Sequence, residues 1–432
     1  MAVVTDAADA SMERRVIASA ALAHGMTHTL ELTFAALLLR VGAEFGVSLA
    51  TLGAIAFAGT LTFGVTALPA GYLSDRFGPR AVITGAMLAA AGCALLVAAA
   101  PSLPVLALAL ATLGAAIGLY HPPGTAMVST VFARRGRAFA IHGIAGNIGI
   151  SLAPLIATAL AVLIDWRAAY VALAVLASGV ALLVRRVAPD REEARQRARD
   201  ATQASIDATS STSTARRRST PPAVRSWTAP PLLLVYAATI GTGFVYRGAL
   251  TFLPAHLEQH LGLAFFGWTP QTIAGAMSSL VLLAAVFGQV AGGMLSDRMP
   301  LERVAVPIVV LLVPALALVS ASSGVWLLLG AAMFGLVNFA QQPVFNGLVA
   351  DYAPRGAAGR AFGLSFFLSF GIGSSAAWFA GAVAERWGTG ATFAMLAGIA
   401  TALSLMIVAL VVSAERRRGV EAPSLAGATA GD

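Results

Sequence analysis

The chain contains no lysine; all 28 basic residues among its 432 are arginine. Its single cysteine, Cys93, sits inside an apolar run, which excludes a disulfide framework and a cysteine-built metal site. Charged residues make up only 11% of the chain, against about 25% in soluble domains. That scarcity excludes an ordinary soluble enzyme and a disordered chain. What is present in excess is apolar surface: 58% of the residues, or about 250 of the 432. Twelve membrane-spanning helices of about 20 residues each need about 240. The first fifteen residues include Asp6, Asp9 and Glu13 beside Arg14 and Arg15. That is not the start of a signal peptide, and the apolar run behind it is of full membrane length.

Twelve apolar runs can be marked: Val16–Leu39, Leu49–Leu73, Ala81–Ala100, Pro104–Val131, Ala138–Ile164, Ala168–Val184, Leu232–Leu253, Thr272–Leu295, Val304–Ser320, Gly324–Ala350, Ala361–Ala384 and Thr392–Val412. Backbone in lipid must satisfy its own hydrogen bonds, so each run is predicted to be a helix. The expected fold is an all-α integral membrane protein. Arginine placement sets the orientation. With the N-terminus in the cytoplasm, 24 of the 28 arginines fall on that side. Only Arg40, Arg167 and Arg386 fall outside, and Arg247 lies within run 7. This is the positive-inside pattern. It favours membrane positioning over nucleic-acid binding as the reason for the +8 charge. It predicts cytoplasmic N- and C-termini in a cell (inner) membrane, with the lipid bilayer as surroundings.

The two halves repeat. Gly71-Tyr72-Leu73-Ser74-Asp75-Arg76 after run 2 matches Gly293-Met294-Leu295-Ser296-Asp297-Arg298 after run 8, at an offset of 222 residues. Arg137-Ala138-Phe139 and Arg360-Ala361-Phe362 recur at 223, and Trp166 and Trp387 at 221. A nearly constant offset implies two six-helix bundles in parallel orientation. The predicted organisation is an N-terminal bundle over 1–187, a cytoplasmic linker over 188–229, a C-terminal bundle over 230–418 and a polar cytoplasmic tail over 419–432. The linker is rich in Arg, Ser, Thr and Pro and reads as disordered, with a short surface helix within 190–199.

Nearly the whole chain resembles the major facilitator superfamily. The family's loop between helices 2 and 3 reads roughly G-x-L-x-D-R-x-G-R-R, and here it is Gly71, Leu73, Asp75, Arg76, Gly78, Pro79 and Arg80. The resemblance implies twelve helices in two pseudo-symmetric bundles and a cytoplasmic gate built on Gly71, Asp75, Arg76, Arg80, Asp297 and Arg298. The family's gate is a latch that holds the outward-open state. Gly71 is expected to allow close helix approach. A finer resemblance is to the fosmidomycin-resistance-type branch, through Tyr120-His121-Pro122-Pro123-Gly124 in run 4 and Gly146-Asn147-Ile148-Gly149 in run 5. That branch includes proton-driven exporters. Run 4 lacks the intramembrane Arg that drug antiporters carry there, and runs 2 and 8 lack the Arg pair of nitrate porters.

Away from the run ends, Glu31 is the only intramembrane acid and Arg247 the only base. A charge at mid-bilayer costs at least about 2.5–3.5 kcal/mol, so each needs a partner or water. By the 222 offset Arg247 lies level with Gly25, so Glu31 sits about 9 Å further toward the outside at 1.5 Å per residue. The pair is open to direct contact, a water bridge or a bridging substrate. His24, His28 and Glu31 are spaced by 4 and 3, which places them on one helix face. They are the expected proton-coupling residues, because histidine titrates near neutral pH. Expected substrate-binding residues are Arg247, His121 and Asn147, with the amides Asn338, Gln341, Gln342 and Asn346 of run 10. The spacing also resembles a metal-ligand set, extendable by His121 and His142, but no acidic or His-rich loop supports metal collection. No metal or other cofactor is expected.

His121-Pro122-Pro123 is predicted to break or kink run 4. Ala145, Gly149, Ala153 and Ala157 form a small-residue ridge for helix packing. His256 and His260 read as a solvated loop face. The expected function is secondary active transport of a small molecule by alternating access, as a monomer, with proton-coupled export as the first reading. The second is proton symport importing a small organic anion. A reading of different class is a non-transporting membrane sensor or assembly partner. No nucleophile–base pair or phosphate loop points to an enzyme.

Overall fold

The computed structural model describes residues 2–131, 135–190, 192–193, 196, 227–264, 267–354 and 358–421. The linker reading over 188–229 and the tail reading over 419–432 fall largely outside them. Among the described residues the chain is helical, without strands. The N-terminal half comprises α1 (Ala2–Ala36), α2 (Leu38–Phe45), α3 (Leu49–Phe77), α4 (Pro79–Ala98), α5 (Leu103–Gly118), α6 (His121–Val131), α7 (Arg135–Leu163) and α8 (Trp166–Val187). The C-terminal half comprises α9 (Pro230–His260), α10 (Pro270–Arg298), α11 (Leu301–Ala321), α12 (Gly324–Tyr352), α13 (Ala358–Phe366), α14 (Ala376–Trp387) and α15 (Thr389–Glu421). Eleven spans are long and apolar enough to cross a membrane by length and composition. α1, which carries His24, His28 and Glu31, is not among these eleven, and counting it gives the twelve expected. Large apolar side chains such as Leu163, Phe287 and Leu405 point outward, as a lipid-facing surface requires.

Local chemistry sets the helix ends. The hydroxyls of Ser48 and Thr269 accept from the Thr51 and Thr272 amides, capping α3 and α10. Gly78, at φ 85°, lets α3 turn directly into α4, where Pro79 fits the first helical position. The expected break in run 4 is present. α5 stops at Gly118 and α6 restarts at His121, with Pro122 and Pro123 in its first turn. Each proline lacks an N–H and clashes with the carbonyl four residues back, so two in succession favour a break here.

A second break has no proline to announce it. Between α13 and α14 the chain forms a π-helical turn, Phe367–Ile372, and a 3-10 turn, Gly373–Ser375. Two glycines press on this stretch. A Cβ on Gly64 of α3 would lie 2.6 Å from the Gly371 nitrogen, and one on Gly243 of α9 would lie 2.4 Å from the Ser369 carbonyl.

The α3–α4 and α10–α11 turns, which carry the repeated motif, mark one face of the helices, the motif face. The two halves meet mainly from mid-depth to the opposite, far face. There Arg40 Nε donates to Gln271 Oε1 at 2.5 Å, and the Ala50 amide donates to Glu385 at 3.3 Å. A Cβ on Gly53 would stand 2.3 Å from the Ala377 carbonyl. On the same face Arg167 and the Trp166 indole both donate to Glu44. Arg167's hydrogen bonds are the main cause that holds the Glu44 carboxyl below its ordinary pKa. His256 is not on a solvated face: it is 1% exposed, with Nε2 donating to the Val319 carbonyl at 2.9 Å and Nδ1 2.8 Å from the Thr389 hydroxyl. Tertiary packing of α9 against α11 and α15 overrides its position near a helix end.

Candidate functional site

The helical spacing of His24, His28 and Glu31 becomes a column of contacts along α1. His28 Nδ1 lies 2.5 Å from Glu31 Oε2, and His28 Nε2 lies 3.1 Å from His24 Nε2. His24 Nδ1 donates to the His142 carbonyl of α7 at 2.7 Å. Gly146, one turn further along α7, leaves the space for the His24 ring; a Cβ there would sit 2.5 Å from its Cε1. The Tyr120 hydroxyl, at the α5–α6 break, donates to the Ala20 carbonyl at 2.5 Å and accepts from His142 Nε2 at 2.9 Å.

Arg247 comes from the opposite half, and its Nη2 hydrogen-bonds directly to Glu31 Oε1. The side chains of the pair are 2% and 3% exposed. Of the three arrangements left open by the sequence, direct contact is the one present. The long guanidinium stem spans the axial offset between them. Arg247 Nε is buried without a hydrogen-bond partner, and the guanidinium lies 5.5 Å from the Tyr246 ring centre. Both charges line a cavity of about 50 Å³ whose walls are otherwise mostly apolar, including Phe34, Ile55, Phe63 and Leu113. A buried pair like this gains little net stability over apolar packing, but losing one partner is costly.

His121 joins the cluster from the first turn of α6. Its ring centre is 5.2 Å from those of both His24 and His28, and it packs edge-on to Phe63 at 5.4 Å. Its Nε2 is buried without a partner. One ring nitrogen each of His24, His28 and His121 lie within 4.8 Å of one another, close enough for a small cation to bridge them.

The remaining expected site residues divide. Asn147 Nδ2 donates to Gln289 Oε1 of α10, and Gln289 Nε2 donates to Gln342 Oε1 of α12 at 3.0 Å. This amide chain crosses between the halves. Gln289 was not expected, although it is the only amide in run 8, which was the available signal. Gln341 donates to Asn338 at 2.8 Å on its own helix, and Gln341 Oε1 is buried without a partner. Asn346 is exposed and takes no part in either group. Gln289→Leu should destabilise the protein by about 1–3 kcal/mol, because it strands the buried Asn147 amide. Thermal unfolding of the purified variant checks this; a midpoint equal to wild type would mean the bridge carries no stability.

On the motif face, Arg76, Asp75, Asp297 and Arg298 are exposed. Arg76 reaches the Tyr72 hydroxyl at 3.4 Å, and Arg80 donates to the Ala188 carbonyl at 3.4 Å. The expectation that Gly71 permits close helix approach is corrected. A Cβ on Gly71, or on its counterpart Gly293, would meet nothing within 4 Å. The small-residue ridge of α7 does pack, with a Gly149 Cβ position only 2.0 Å from the Gly25 carbonyl of α1.

The family model that matches the chain is Major Facilitator Superfamily, over residues 17–378 and 266–429. A search of curated proteins found no significant match. Solved structures that are similar include a bacterial homolog of the human lysosomal transporter Spinster, inward-facing and occupied. It is 15% identical, with 94% of this chain and 96% of that chain covered and a TM-score of 0.69. A POT family transporter in complex with 5-aminolevulinic acid is 13% identical, covering 93% and 96%, with a TM-score of 0.71. A peptide transporter POT in complex with sulfate is 15% identical, covering 93% and 95%, with a TM-score of 0.71. At these identities the likeness is one of fold.

Proposed function

The chain belongs to the Major Facilitator Superfamily, a multi-pass membrane transporter family, and from that premise we propose a proton-coupled secondary transporter of a small molecule, working by alternating access. The observation that carries the coupling is Glu31. One of its oxygens is held by Arg247 from the opposite half, the other by His28 in a histidine column. A carboxylate shared in this way links a protonation event to the contact between the two halves. Glu31, His28 and His24 carry the proton. Arg247 binds the substrate, with His121, Asn147, Asn338, Gln341, Gln342 and Asn346 as further polar contacts along its route. The motif face is cytoplasmic by its arginines, in a cell (inner) membrane, and the protein works as a monomer.

The run 4 and run 5 elements support export. A second reading, symport of a small organic anion, is favoured by Arg247, whose unpartnered Nε is a donor left over for an anionic group. A growth panel decides between them, using cells with wild type, Glu31→Gln or empty vector. It covers antibiotics, phosphonates, metals and organic acids as sole carbon sources. Protection that Glu31→Gln removes means export; new sensitivity or new growth on an acid means uptake. Identical growth of all three strains throughout would count against transport.

A further inference from the structure

Counting hydrogens along the histidine column gives a result that two neutral imidazoles and a carboxylate cannot satisfy. The His142 carbonyl can only accept, so the hydrogen in that contact is on His24 Nδ1. A neutral imidazole carries one N–H, which leaves His24 Nε2 a bare acceptor. The hydrogen between the two Nε2 atoms, 3.1 Å apart, therefore comes from His28. That uses the single N–H of a neutral His28. Its Nδ1 still faces Glu31 Oε2 at 2.5 Å, a separation at which two lone pairs would repel. Three contacts need three hydrogens; two neutral rings supply two, and a carboxylate supplies none. Reversing the middle bond only moves the surplus to His24.

We infer that in this conformation the His24–His28–Glu31 column stores one proton beyond two neutral imidazoles and a carboxylate, carried on His28 as an imidazolium against the Glu31 carboxylate. The inference rests on the proton-coupling reading above and specifies its ion site and count. Arg247, bonded to the other Glu31 oxygen, keeps Glu31 in the carboxylate form, and a contact of 2.5 Å suits a charge-assisted pair. The other titratable groups facing the column are neutral partners. Tyr120 gives its hydrogen to the Ala20 carbonyl, His142 donates through Nε2, His121 Nε2 makes no bond, and Tyr246 lies beside Arg247.

A metal ion is the competing cation. Charge argues against it. With one proton, His28, Glu31 and Arg247 sum to a single positive charge, whereas a divalent ion in place of the proton would leave two in a site shut off from water. Distance agrees: 3.1 Å suits an N–H···N bond, while nitrogens about 2.05 Å from a tetrahedral zinc stand about 3.4 Å apart. The net positive charge has a consequence for the substrate. A small monoanion at Arg247 brings the site to neutrality, so proton and anion favour each other's binding by the same factor. That is the coupling sense of symport.

The test is nitrogen NMR on the full-length protein, labelled with ¹⁵N-histidine, stripped with EDTA and held in nanodiscs at pH 8. Solvent-exposed histidines are neutral there. The expected result is one ring of the six histidines with both nitrogens protonated, and its loss in Glu31→Gln. Six neutral rings in the wild type would overturn the imidazolium on His28. So would visible absorption bands of tetrahedral Co²⁺ after one equivalent of the ion. If Glu31→Gln loses uphill transport while the wild type shows six neutral rings, proton coupling stands and the imidazolium on His28 falls. If it keeps uphill transport while one imidazolium is present, the coupling reading falls and the store stands.

Discussion

Glu31→Gln is expected to abolish transport driven by a pH gradient and to lower thermal stability, while Glu31→Gln with Arg247→Gln regains the stability without the transport. The reasoning starts from burial. Glu31 and Arg247 are both nearly inaccessible to water and each is the other's counter-charge. Removing one partner of a buried pair costs about 3–5 kcal/mol, because the survivor keeps its desolvation penalty with no opposite charge. Glutamine retains the shape of glutamate and an oxygen that accepts from Arg247, so the loss should lie at the low end of that range. Replacing both charges by amides removes the stranded cation, and most of the loss should disappear. Neither variant has a carboxylate to exchange a proton with His28, so neither should concentrate substrate against a gradient. Vesicle uptake with and without an imposed pH gradient, beside thermal unfolding of the purified proteins, measures both effects. Intact uphill transport in Glu31→Gln would remove Glu31 from the coupling role.

Gly53→Leu should leave the protein folded but cost most of its transport, whereas Gly149→Val should cost the fold. Both glycines sit where a Cβ would meet a backbone carbonyl, at 2.3 Å from Ala377 and 2.0 Å from Gly25 respectively. The difference is where that carbonyl belongs. Gly25 is in the same bundle as Gly149, so a side chain there wedges apart α1 and α7 in every conformation. Ala377 is in the opposite bundle, so a side chain at Gly53 opposes only the states in which the far face is closed. Overpacking costs about 1–3 kcal/mol, and a bias of about 2 kcal/mol shifts a two-state population about 30-fold. Reactivity of an introduced cysteine in Ala50→Cys toward an impermeant maleimide should rise when Gly53→Leu is added. Unchanged reactivity and unchanged transport would mean that closing the far face does not depend on this contact.

The apolar runs and the break at His121-Pro122-Pro123 were legible because each is a local property. Membrane length and apolarity are read over about 20 consecutive residues, and a proline acts on the turn beside it. The choice of Glu31 and Arg247 was equally legible, since a lone acid and a lone base in apolar helices stand out by composition and need partners. The α1 face was readable from spacings of 4 and 3. Family motifs marked the α3–α4 and α10–α11 turns, but the open space around Gly71 is a tertiary property, which no stretch of chain encodes by itself.

Only the tertiary structure decided the partners. Arg247 meets Glu31 across 216 positions of sequence, Asn147 meets Gln289 across 142, and His24 meets the His142 carbonyl across 118. Burial of His256, the π-turn at Phe367–Ile372 and the orienting roles of Tyr120 and His142 have the same origin, in helices from distant parts of the chain. Hydropathy is a sum over neighbours and survives any rearrangement of the helices. A hydrogen bond is set by direction and by tenths of an ångström, and those exist only once the helices are packed.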